Sequence, residues 1–134
     1  VTRGPDEDHH ELVGSLTAAH PGGDHAAWLE YWRRPALAVV TLTVTEAGYT
    51  LAGGGEPGLD TGRPDVAADV TALRADAGAP VTTAAARLLA GLAARRAAGH
   101  GPVAVVSCDN LPGNGAVVRR VVRETAEATG RADL

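Results

Sequence analysis

Two short apolar runs rich in β-branched residues constrain this chain more than any other feature. Ala36–Val44 reads Ala-Leu-Ala-Val-Val-Thr-Leu-Thr-Val, and Pro102–Val106 reads Pro-Val-Ala-Val-Val. In an extended chain both place apolar side chains on both faces, the pattern of a strand buried in a parallel sheet. Helical patterns flank and separate them. Asp24 is a good N-cap for a helix through Arg34, with Trp28, Leu29 and Trp32 in one stripe and Pro35 as its stop. A short helix is expected over roughly Asp65–Arg74, broken by Gly78 and Pro80. Thr82 or Thr83 caps the next, which presents Leu88, Leu89 and Leu92 on one face and leaves Arg87, Arg95 and Arg96 solvated up to Gly99. The last helix runs from about Ala116 to Thr129, with Val117, Val118, Val121 and Val122 inward, Arg119, Arg120 and Glu124 outward, and Gly130 as its stop. Helix, strand, helix, helix, strand, helix implies crossover units and an α/β fold with a parallel sheet.

Before the first helix the signals are weaker. Residues 1–11 are polar and acidic and read as a loop. Val13 and Leu16 suggest a short strand before the turn His20-Pro21-Gly22-Gly23. The segment from Gly53 to Pro64, rich in Gly, Pro and Asp, reads as a loop.

Composition excludes several chemistries. All 12 basic residues are arginine, and the 134-residue chain contains no Lys, Met or Phe. No lysine Schiff base or lysine general base can therefore come from it. Its net charge of −4, with scattered arginines, is a poor match for nucleic acid, which needs a basic stripe. No apolar run reaches the length of a membrane span. Cys108 stands alone, which fits a reducing compartment and a cytoplasmic location. The chain opens at Val1 in mid-pattern, as an excerpt of a longer protein would.

Parallel sheets gather functional groups at the carboxyl ends of their strands. Two segments sit at such ends, Thr43–Tyr49 and Ser107–Gly115. The second reads Ser-Cys-Asp-Asn-Leu-Pro-Gly-Asn-Gly. Taken by its residues alone it is first a βα turn, in which Asx side chains satisfy loose amides and Asn114 caps the helix. Its second reading is that Asn110 presents an amide NH2 to a substrate oxygen, a neutral donor that can stabilise a developing alkoxide without titrating. Thr43-Val44-Thr45-Glu46 is either an ordinary run of hydroxyls at a strand end or a set of polar groups beside a cofactor ring, and spacing does not choose. Cys108, directly after an apolar strand with no His at a helpful spacing, reads as a buried, inert thiol. His9-His10 beside Asp8 and Glu11 could chelate a metal, but adjacent loop histidines more often do nothing of the kind, and no metal site is assigned. Gly53-Gly54-Gly55 lacks the following Lys-Ser/Thr of a phosphate loop.

Taken together, Val-Thr-Leu-Thr-Val-Thr-Glu-Ala-Gly-Tyr (Val40–Tyr49) and the run Ser107–Gly115 resemble the mannitol dehydrogenase and fructuronate reductase family of long-chain polyol dehydrogenases. The resemblance extends from about Glu11 onward. It implies an incomplete Rossmann-like sheet with flanking helices, residues 1–134 forming part of an N-terminal nucleotide-binding domain. The family's first glycine-rich βα unit and its helical, lysine-bearing catalytic domain would lie outside the chain. It also implies hydride transfer between NAD or NADP, with NAD favoured, and a sugar alcohol or keto-sugar (acid), without a metal. Asn110 matches the family asparagine that holds the substrate oxygen, and Thr43, Thr45 and Glu46 match the strand end near the nicotinamide. The family commonly has Lys where this chain has Ala47, a change that bears on the charge near the site. Two other readings accompany this one. The chain could be a remnant without catalysis, or an α/β module that binds some other small ligand at the same strand ends.

Overall fold

The computed structural model describes residues 2–3, 8–9, 12–49 and 58–134. Its elements, in chain order, are β1 (Thr2–Arg3), β2 (Asp8–His9), α1 (His25–Trp32), β3 (Val39–Leu42), a 3-10 turn (Glu46–Tyr49), α2 (Pro64–Ala75), α3 (Ala84–Ala97), β4 (Ala104–Ser107) and α4 (Asn114–Ala128). From α1 onward this is the expected order of helices and strands. β1 and β2 pair antiparallel where the sequence suggested only a loop. Residues 53–57 of the Gly53–Pro64 stretch, the glycine run included, lie outside the described residues, as do His10 and Glu11 of the acidic histidine segment.

β3 and β4 pair parallel, with Val39 opposite Ala104 and Leu42 opposite Ser107. The two strands are joined through α2 and α3, so neighbours in the sheet are remote in the chain. Local chemistry explains the helix starts. The Asp24 carboxylate accepts from the Ala27 amide at 2.9 Å, and the Thr83 hydroxyl accepts from the Ala86 amide at 3.4 Å. Pro64 opens α2, where its missing N–H costs nothing. Gly99, with a φ of 74°, stops α3.

The core lies between one face of the sheet and the helices. Leu29 and Trp32 of α1, Leu73 of α2, Leu88 and Leu89 of α3, and Val118 of α4 pack with Tyr49, and Val40, Leu42 and Val105 reach them from the strands. A buried carboxylate reinforces this packing: Asp69, 5% exposed, accepts from the Thr82 amide at 3.0 Å and the Thr83 amide at 2.7 Å. It thereby satisfies free N–H groups at the start of α3 from a residue on α2.

Four expectations fail. The segment around Val13 and Leu16 is turn and irregular chain rather than strand, with Leu16 79% exposed, because nothing among the described residues pairs with its backbone. The strands are not covered on both faces. Val40, Leu42 and Val105 face the core, whereas Val39, Thr41, Ala104 and Val106 are exposed on the opposite face. Cys108 is exposed and not buried, since it continues the outward row of Ala104 and Val106. Arg95 is not solvated: at 6% exposure its guanidinium donates to the carbonyls of Gly101 at 2.5 Å and Arg34 at 3.2 Å. A buried arginine is tolerated where backbone carbonyls take its donors.

Candidate active site at the carboxyl ends of β3 and β4

The two strands end side by side, and the turns that leave them carry the polar residues singled out in the sequence. After β3 the chain passes Thr43, Val44 and Thr45 and tightens into the 3-10 turn, where the Gly48 amide donates to the Thr45 carbonyl at 2.8 Å. Gly48 is required here, because a Cβ at that position would run into the Val44 side chain. After β4 the Cys108 amide donates to the Leu42 carbonyl at 2.7 Å, extending the pairing one step before the chain turns into α4. Gly113, in the left-handed region with a φ of 68°, makes the final corner.

A cluster of oxygens joins the two turns. Tyr49 is 4% exposed, and its hydroxyl donates to Oδ2 of Asp109. The Ser107 hydroxyl lies 2.5 Å from the Tyr49 oxygen and donates to the same Asp109 oxygen at 2.5 Å. Oδ1 of Asp109 accepts from the Leu111 amide at 3.0 Å. The Asn114 amide reaches back to the carbonyls of Asp109 at 3.0 Å and Ser107 at 3.3 Å. Donation from Ser107 and Tyr49 holds the Asp109 carboxyl down to about 2. Burial, and then the bond to Asp109, push the Tyr49 hydroxyl above its ordinary value. At neutral pH the pair is therefore an ionised carboxylate held by a protonated phenol.

The three Asx side chains of this loop divide their labour. Asp109 and Asn114 are consumed in holding the turn. Asn114 does so backward, on the loop carbonyls; the expected cap is not formed, because Gly113 takes the N-cap position and α4 has no side-chain cap. Asn110, between Asp109 and the core-packed Leu111, is exposed, and no described residue bonds to its amide. Thr43 and Thr45 are likewise exposed, with hydroxyls that no described residue takes up. Glu46 opens the 3-10 turn, while its side chain lies outside the described set. The structure thus brings Asn110 and the Thr43–Glu46 segment to the same sheet edge. Tyr49, which joins the two turns, is not among the residues that spacing singled out. Its signal was a tyrosine closing the Thr45–Tyr49 turn in a chain almost without aromatics.

At position 47 the Ala47 carbonyl accepts from Arg63 at 3.3 Å, and Arg63 is paired with Asp65 at 2.7 Å. A cation therefore stands beside this position, balanced by its own carboxylate. A groove of about 640 Å³ lies elsewhere, between α1, the 15–24 segment, β3 and the start of α3. It is lined by none of the candidate residues.

The family model described as the mannitol dehydrogenase Rossmann domain matches residues 1–132. A mannitol 2-dehydrogenase from Cereibacter sphaeroides is 43% identical over 116 residues, covering 86% of this chain and 23% of the relative. A D-arabinitol 4-dehydrogenase from Ralstonia nicotianae is 37% identical over 96% of this chain and 26% of its own length. Among solved structures, D-sorbitol dehydrogenase in substrate-free form aligns with a TM-score of 0.70 at 29% identity, over 82% of this chain and 22% of that one. Mannitol 2-dehydrogenase of Pseudomonas fluorescens, in ternary complex with NAD and D-mannitol, aligns with a TM-score of 0.68 at 31% identity, over 81% of this chain and 21% of that one. The chain thus spans about a quarter of the length of these relatives. The chain belongs to the mannitol dehydrogenase family, matching its Rossmann domain.

Proposed function

We propose that this chain supplies the substrate-oxygen side of a nicotinamide-dependent polyol dehydrogenase, acting between a sugar alcohol and the corresponding keto-sugar or keto-sugar acid. One observation carries the reading. At the shared strand edge Asp109 and Asn114 are engaged in the turn, and Asn110 alone of the three keeps its amide free among the described residues. An exposed amide that its own turn does not engage is available to a ligand at the strand end.

The residues at this edge fit a nicotinamide. The free hydroxyls of Thr43 and Thr45 stand at the carboxyl end of β3, where an α/β sheet binds such ligands, and Glu46 follows them. These three residues would hold the ring side of the cofactor, and NAD is favoured over NADP by the neighbour solved with NAD. When bound, the cofactor supplies the hydride acceptor or donor. Asn110 donates through Nδ2 to the substrate oxygen as negative charge grows there, and it does so without a proton of its own to lose. Asp109 and Leu111 on either side keep that donor from collapsing into the loop. The family resemblance assigns the hydroxyl proton to a lysine on a helical domain, and these 134 residues contain no lysine. The exposed, unpaired Cys108 supports a reducing, cytoplasmic setting.

The test is Asn110→Ala in the full-length enzyme that carries this chain. Turnover of polyol is expected to fall by roughly 10²–10³-fold, the cost of removing one such donor, with cofactor affinity unchanged. Unchanged turnover overturns the assignment.

A further inference from the structure

The oxygen cluster beneath Asn110 has a use beyond closing a turn. It ties the turn after β3 to the turn after β4 through residues 60 apart in the chain, Tyr49 and Asp109. Every polar atom of Asp109 that could let the loop drift is taken. Oδ2 receives the hydroxyls of Tyr49 and Ser107, Oδ1 the Leu111 amide, and its carbonyl the Asn114 amide. Asn110 is the residue immediately after it. Tyr49 in turn closes the 3-10 turn that begins at Glu46, and its ring is packed among Leu88, Leu89 and Val118 in the core cluster. The phenol is therefore a rigid post: its position is set by the core and its oxygen by the loop.

From this arrangement we propose that Tyr49 is a positioning residue. Acting through Asp109 and Ser107, it fixes the orientation of the Asn110 amide relative to the Thr43–Glu46 strand end. The proposal rests on the reading of Asn110 as the substrate-oxygen donor. A neutral donor stabilises a developing charge only when it is already aimed at that charge, and a misplacement of about 1 Å can cost on the order of 10²-fold in rate. Nothing else among the described residues holds the Asn110 side chain, so its aim depends on the backbone between Asp109 and Leu111.

A merely structural tyrosine and a positioning one are separated by a double-mutant cycle in the full-length enzyme. Tyr49→Phe keeps the packed ring and removes only the oxygen. It is expected to lower kcat by roughly tenfold or more with cofactor affinity unchanged, while the thermal midpoint falls only by the modest amount that one lost hydrogen bond to a carboxylate costs. In an Asn110→Ala background the same substitution is expected to cost almost nothing further, because the group it aims is gone. Ser107→Ala, which removes a second oxygen of the cluster without touching the core, is run in parallel and is expected to show the same loss of effect on the Asn110→Ala background. If Tyr49→Phe fails to fold, the cycle is decided with Ser107→Ala. Asn110→Ala impaired, with Tyr49→Phe either fully active or equally costly on both backgrounds, overturns the positioning role and leaves Asn110 as donor. Asn110→Ala with full turnover overturns both.

Discussion

Asp109 shows how one residue links stability to the site. Its carboxyl is held at about 2 by the hydroxyls of Ser107 and Tyr49, below the ordinary value of about 3.9 for an unfolded chain. A group whose pKa is depressed on folding contributes stability that is complete above its unfolded pKa and is lost as pH falls through the folded one. The acid limb of the stability curve should therefore steepen between about pH 4 and about pH 2. Thermal midpoints across that window, for the parent and for Asp109→Asn, measure the contribution. The parent should lose more stability over the interval than the variant, and parallel curves would refute the linkage. The sequence showed Asp109 as one of three Asx residues in a turn. It could not show which of them would be free, because the partners of Asp109 include a tyrosine 60 residues away.

At the scale of elements, two helix caps were legible, Asp24 outright and Thr83 as one of two adjacent threonines, whereas the expected Asn114 cap does not form. Asp24 and Thr83 accept from amides three residues on, and such contacts depend only on local chain geometry. The contact of α1 with α3 was not legible. Gly91 lies where α3 meets the buried indole of Trp32, and a Cβ there would fall inside the van der Waals envelope of that ring. Gly91→Ala gains about 1 kcal/mol of helix propensity. Overpacking costs typically about 1–3 kcal/mol, and more when a rigid indole must move, so the clash wins. A lower urea midpoint is expected, whereas a raised midpoint would show that the two helices are not packed this closely. Arg95 and Asp69 teach the same lesson. Both are charged residues on amphipathic helices and read as solvated from spacing, or went unremarked, until the neighbouring backbone groups that receive them were in place.

At the scale of the whole molecule, the family match covers residues 1–132, nearly the whole chain. In the proposed reading Asn110 is the donor to the substrate oxygen, while the 134 residues contain no lysine and the chain spans about a quarter of its relatives. We therefore expect the purified 134-residue chain to show no NAD-linked oxidation of mannitol, arabinitol or sorbitol at concentrations where a full-length relative turns over readily. Measurable NADH production by this chain would refute the division of labour. The outward row Val39, Thr41, Ala104 and Val106 belongs to this scale too. Its β-branched apolar composition read as a doubly buried strand, yet the described residues cover one face only.

The sequence by itself determined the alternation of helices and strands, the helix starts at Asp24 and at Thr82 or Thr83, and the two strand-end segments that carry the resemblance. All of these rest on interactions within a few residues. The tertiary structure decided which face of the sheet is covered, that Arg95 is buried and Cys108 exposed, and that Tyr49 reaches Asp109. It also decided which asparagine is left free. The reason is physical: burial and hydrogen-bond satisfaction are set by neighbours in space, and β3 meets β4 only after two intervening helices bring the distant strand back beside it.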